Sequence, residues 1–80
     1  MDTERTMGVA VDGEIQLVVN GDERSCPPGT TVDAFLRSLD LVPGTVVVER
    51  NQSIVDRSAY GETLLEAGDR LEIVHFVGGG

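Results

Sequence analysis

Very few residues in this chain have the type and spacing for chemistry. They are a single histidine, His75, a single cysteine, Cys26, and a run of three glycines, Gly78-Gly79-Gly80. A general base needs placed partners, and nothing in the sequence supplies one for His75, which falls inside a strand pattern. Cys26 has no second histidine or cationic cluster beside it to lower its pKa, so it reads as a small core residue, not a nucleophile. The acids Glu62, Glu66 and Asp69 read as a solvated face and a turn. Asn20-Gly21-Asp22 and Pro27-Pro28-Gly29 are turn chemistry, not phosphate loops. The glycines remain. Without a Cβ the backbone passes through gaps that a side chain would block, so a partner enzyme could draw a terminal glycine carboxylate into a closed site. The plain alternative is a frayed chain end.

Size and charge narrow the classes. Eighty residues make one small domain without room for a deep catalytic cleft. The net charge of −8 argues against nucleic acid, whose binding rests on Lys and Arg neutralising phosphates. One cysteine forms no internal disulfide and builds no four-thiolate zinc or iron–sulfur site. The first residues are acidic and polar, unlike a signal peptide. No apolar run approaches the roughly 20 residues of a membrane span. A cytoplasmic protein is expected, with no membrane partner and no stably bound cofactor.

The elements that must carry the tail follow from periodicity. Residues 1–13 read as a flexible extension. Ile15–Asn20 is a β-branched strand, and Asn20-Gly21 supplies the positive φ values of a tight hairpin into a short strand over 23–26. Thr30 with Asp33 suggests a capping box, followed by an apolar stripe at Val32, Phe35, Leu36 and Leu39 on a helix of about ten residues, closed by Pro43-Gly44. The Val46-Val47-Val48 run predicts a strand buried on both faces, with Ser53–Val55 as a shorter partner. Tyr60, Leu64 and Leu65 should anchor an irregular stretch. Leu71–Val77 reads as a central strand with Leu71, Ile73 and Val74 in the core. The expected fold class is α+β, a β-grasp (ubiquitin-like) domain over 14–77. Its mixed sheet has four to five strands, one main helix packs on one face, and the first and last strands run parallel at the centre. Residues 78–80 form the tail.

The closing run Leu71-Glu72-Ile73-Val74-His75-Phe76-Val77-Gly78-Gly79-Gly80 resembles the C-terminus of the ThiS/MoaD family of ubiquitin-like sulfur carriers. Val18-Val19-Asn20-Gly21, Thr31-Val32 through Leu36, Val47-Val48-Glu49-Arg50-Asn51 with Ile54-Val55, and Leu65 through Gly68-Asp69 agree in order. The resemblance covers residues 15–80. It implies a carrier and not an enzyme. A ThiF-like adenylating enzyme uses ATP to activate the carboxylate of Gly80. A cysteine-derived sulfur donor converts it to a thiocarboxylate. A ThiG-like thiazole synthase takes the sulfur for the thiazole of thiamine. Gly79 and Gly78 thread the tail, and Phe76 and Val77 are candidate partner contacts. Two other readings stay open: the small subunit of molybdopterin synthase, and a ubiquitin-like interaction or conjugation module.

Overall fold

The computed structural model describes residues 13–75. Residues 1–12 of the extension expected over 1–13, the possible contacts Phe76 and Val77, and the tail glycines Gly78, Gly79 and Gly80 lie outside the described residues. Five strands and one helix follow in order: β1 Ile15–Val19, β2 Asp22–Cys26, α1 Val32–Ser38, β3 Val46–Arg50, β4 Ser53–Ile54 and β5 Arg70–His75. Short 3-10 turns occupy Pro43–Thr45 and Arg57–Ala59. The sheet order is β2-β1-β5-β3-β4. β5 therefore sits in the middle, parallel to β1 and antiparallel to β3.

The hairpin into β2 turns at Asn20 and Gly21, with φ of 50° and 88°. Both lie in the left-handed region that a tight twisted hairpin requires, which asparagine and glycine tolerate best. The helix is shorter than its sequence pattern suggested, and its cap is one residue later. Thr31, not Thr30, is the N-cap, its Oγ1 accepting from the Ala34 N–H at 3.1 Å. Thr30 instead donates its hydroxyl to Pro27 O. Asp33 does not close a capping box but pairs with Arg37 one turn on, at 2.8 Å. The helix also stops before Pro43. Asp40 takes φ 64°, and Leu41 N–H and Asp40 N–H return to Leu36 O and Arg37 O. That is a Schellman stop with aspartate in glycine's usual place.

The stripe Val32, Phe35 and Leu36 is buried against Leu17, Val19, Val46, Val48 and Leu71 from the sheet. Cys26, Tyr60 and Leu65 complete the core, with Leu39 and Ile73 packed at its margin. Tyr60 keeps its polar end satisfied by donating to Val46 O at 3.2 Å. Three expectations fail here, the two in the sheet for one reason. The helix covers a single face, so residues of opposite parity face outward. Val74 is 61% exposed instead of core, and Val47 is half-buried instead of enclosed on both sides. Leu64 is 53% exposed, held through a backbone bridge to Thr31 while Leu65 does the anchoring.

Candidate functional site: the end of the central strand

The chemistry expected of the tail depends on how β5 is held, because the tail continues from it. β5 is bonded on both sides. Towards β1, Val18 and Asn20 N–H groups donate to Asp69 O and Leu71 O at 3.0 and 2.9 Å. Towards β3 the register runs from Arg50↔Leu71 to Val46↔His75. Past the end of β1, the Asn20 side chain takes over. Ile73 N–H donates to Asn20 Oδ1 at 2.8 Å, and Asn20 Nδ2 donates to Ile73 O at 3.2 Å.

The start of β5 is locked by Asp69. Sequence reading placed Asp69 on a solvated turn, but it is 5% exposed. Its Oδ2 accepts from Arg50 Nε and from the Glu66 N–H, both at 2.8 Å, and its Oδ1 accepts from Asn51 Nδ2 at 3.0 Å. Burial pushes this carboxyl up. The Glu66 N–H, the Arg50 guanidinium and the Asn51 amide together outweigh burial, and Asp69 titrates below its ordinary value. Asn51 also brackets Arg70, accepting from its N–H and donating backbone N–H to its carbonyl. The turn between β3 and β4 is thereby tied to the root of β5.

The other chemical candidates do not assemble. His75 Nε2 lies 3.2 Å from Thr45 Oγ1. That hydroxyl gives its proton to Val42 O at 2.7 Å, so it accepts from a His75 Nε2–H. The partner orients the ring without activating it. Cys26 is buried, and burial pushes its thiol up; the hydrogen bond with Thr30 lowers it, and the Glu14 carboxylate raises it further. A buried thiol with a raised pKa is a poor nucleophile. Among the described residues no three His, Cys, Asp or Glu side chains are grouped to hold a metal ion. No helix there is long and apolar enough to cross a membrane.

Opposite the helix, the sheet presents a second face. Register puts Val47 beside Val74, Glu49 beside Glu72 and Ile54 beside Glu49. Val74 and Ile54 are 61% and 70% exposed. Apolar side chains flanked by carboxylates thus lead along β5 toward the tail. The value of this face, like the roles of Asn20 and Asp69, was not legible in the sequence. Asn20 and Ile73 are 53 positions apart, and the hairpin signal fully accounted for Asn20.

The sequence model of the ThiS family matches residues 17–80, which is most of the chain. The chain belongs to the ThiS family. It is 42% identical over 65 residues to the sulfur carrier protein ThiS of Bacillus subtilis, a match covering 80% of this chain and 98% of that one. It is also 46% identical over 66 residues to a thiazole synthase of Paramagnetospirillum magneticum. There the chain spans only 20% of the relative's length, as it does for a thiazole synthase of Magnetococcus marinus at 39% identity. The crystal structure of the thiamine biosynthesis protein ThiS from Geobacter metallireducens superposes with a TM-score of 0.70 at 30% identity, covering 82% of this chain and all of that one. The mixed five-stranded sheet with one helix is the β-grasp fold of this ThiS neighbour.

Proposed function

We propose that this ThiS-family chain is a sulfur carrier for the thiazole of thiamine, with Gly80 bearing the sulfur. The observation that carries the reading is the match to the Bacillus subtilis carrier over nearly its whole length, with the family model extending through the closing glycines to residue 80. A carboxylate is a poor electrophile until one oxygen becomes part of a good leaving group. A Gly80 oxygen attacks the α-phosphorus of ATP in a ThiF-like adenylating enzyme, and pyrophosphate departs. The terminal sulfur of a cysteine-derived persulfide then attacks the acyl carbon and AMP departs. A second thiol attacks the donor sulfur of the resulting acyl disulfide, leaving the donor in a disulfide and releasing the thiocarboxylate. A ThiG-like thiazole synthase accepts that sulfur. ATP belongs to the partner. This chain supplies a reachable carboxylate, a strand that holds its root, and a docking face.

Several features support this division of labour. Neither His75 nor Cys26 has the surroundings of a catalytic group. β5 is held on both sides as far as Ile73, so an unhindered tail would start from a fixed point. The open face around Val47, Ile54 and Val74 is of the kind partners cover, and its carboxylates suit a basic rim. Two thiazole synthases in which a region similar to this chain makes up a fifth of the length favour the thiamine branch over molybdopterin synthesis. Phe76 and Val77 remain proposed contacts at the base of the tail.

The branch is tested in a strain lacking this protein. Growth without thiamine should fail and return when the thiazole moiety is supplied, with molybdoenzyme activity intact. Lost molybdoenzyme activity with unaffected thiamine growth would assign the other branch. A ladder of adducts on lysines would assign conjugation instead.

A further inference from the structure

One side chain, Asn20, gives β5 a rung that the backbone of β1 does not. Alternate residues of a strand turn their N–H and C=O to the same neighbour. On the side of β1 these are Asp69, Leu71 and then Ile73. β1 has no backbone left to meet Ile73, because Asn20 and Gly21 turn the chain back into β2. The Asn20 amide fills that place. It offers an acceptor and a donor side by side, as a peptide group does, and satisfies both backbone groups of Ile73. His75 is the next described residue to face this edge, and the Asn20 amide is already engaged by Ile73. On the other side, β3 begins at Val46, which lies opposite His75.

We propose that Asn20 is a positioning residue for the carrier tail: its side chain forms the last rung beside β1 and so fixes where the chain leaves the sheet towards a partner's active site. The inference rests on the reading of Gly80 as the activated carboxylate. A tail rooted at a fixed level reaches the adenylating site with less to order on binding. A looser root shifts that ordering to the encounter, which raises KM and spares the chemical step.

Two variants separate this role from general stability. Asn20→Gly keeps the positive φ and removes both bonds. Asn20→Asp keeps the acceptor for Ile73 N–H and turns a second carboxylate oxygen toward the Ile73 carbonyl. Tyr60→Phe is the control; it removes a buried bond to Val46 O on the β3 side and leaves the β1 edge of β5 untouched. Ile73 amide exchange should quicken most in Asn20→Gly and less in Asn20→Asp. With a ThiF-type adenylating enzyme and ATP, KM for the carrier should rise about tenfold in Asn20→Gly, the scale of ordering one more residue. It should rise less in Asn20→Asp, with kcat changed by less than about twofold in both. Tyr60→Phe should leave KM unchanged. Unchanged KM in Asn20→Gly, or an equal rise in Tyr60→Phe, overturns the role of Asn20 while leaving Gly80 as the carrier. A wild-type protein that is not adenylated at all overturns both.

Discussion

Gly79→Leu is expected to cut adenylation of Gly80 by about 100-fold or more, the scale of loss when a reacting group is displaced by an ångström. The argument needs only the absence of a Cβ. A tail entering a closed nucleotide site must pass where backbone fits and a leucine side chain does not, so the carboxylate stops short of the α-phosphorus. The fold should be indifferent. The core cluster of the described residues runs from Leu17 to Leu71, and a glycine has no side chain to add to it. The unfolding free energy should therefore stay within about 0.5 kcal/mol of wild type, as for ordinary surface substitutions. ATP–pyrophosphate exchange measured with a ThiF-type enzyme checks the first half, and equilibrium unfolding the second. Normal exchange by the leucine variant would show that the tail is not threaded.

Asp69→Ala should have the largest effect on stability. It removes the acceptor for Arg50, Asn51 and the Glu66 N–H at once, and leaves a guanidinium beside a buried gap. Breaking one partner of such a pair costs about 3 kcal/mol, a large share of the stability of a small domain. The same carboxylate predicts a pH dependence with a definite sign. Its folded pKa lies below the ordinary value, so the charged form is favoured by folding. The resulting stability is fully present above about pH 4, the unfolded value, and is lost as pH falls through the folded pKa. Urea midpoints taken from pH 7 down to pH 3 should fall for wild type, and less steeply for Asp69→Asn. Parallel curves would show that Asp69 does not carry the acid sensitivity.

The fold was readable wherever one local rule decided the structure. Asn20-Gly21 could only be a tight turn, and the spacing of Val32, Phe35 and Leu36 could only be a helix face. From those two elements and the closing strand, the parallel pairing of β1 with β5 followed by handedness. Misreadings occurred where a residue's place depends on what covers it. Val74 has the composition of a core residue, yet one seven-residue helix cannot cover both faces of the sheet. Thr30 and Thr31 are both competent caps, and backbone bonds from Val32 to Thr63 and from Leu65 to Thr30 decide between them. Asp69 next to a glycine resembles any surface turn until Arg50 and Asn51, nearly twenty positions earlier, are brought against it. The proposed carrier tail suggested itself for the opposite reason. Its chemistry would lie in what Gly79 and Gly80 lack, and that needs no packing to see.

The central claim is that Gly80 carries sulfur. Its most direct test is the intact mass of the protein after incubation with a ThiF-type adenylating enzyme, ATP and a cysteine-fed sulfur donor. One terminal oxygen should be replaced by sulfur, with the gain mapped by fragmentation to Gly80 and absent when ATP is withheld. An unchanged mass, under conditions that charge the Bacillus subtilis carrier, would contradict the account.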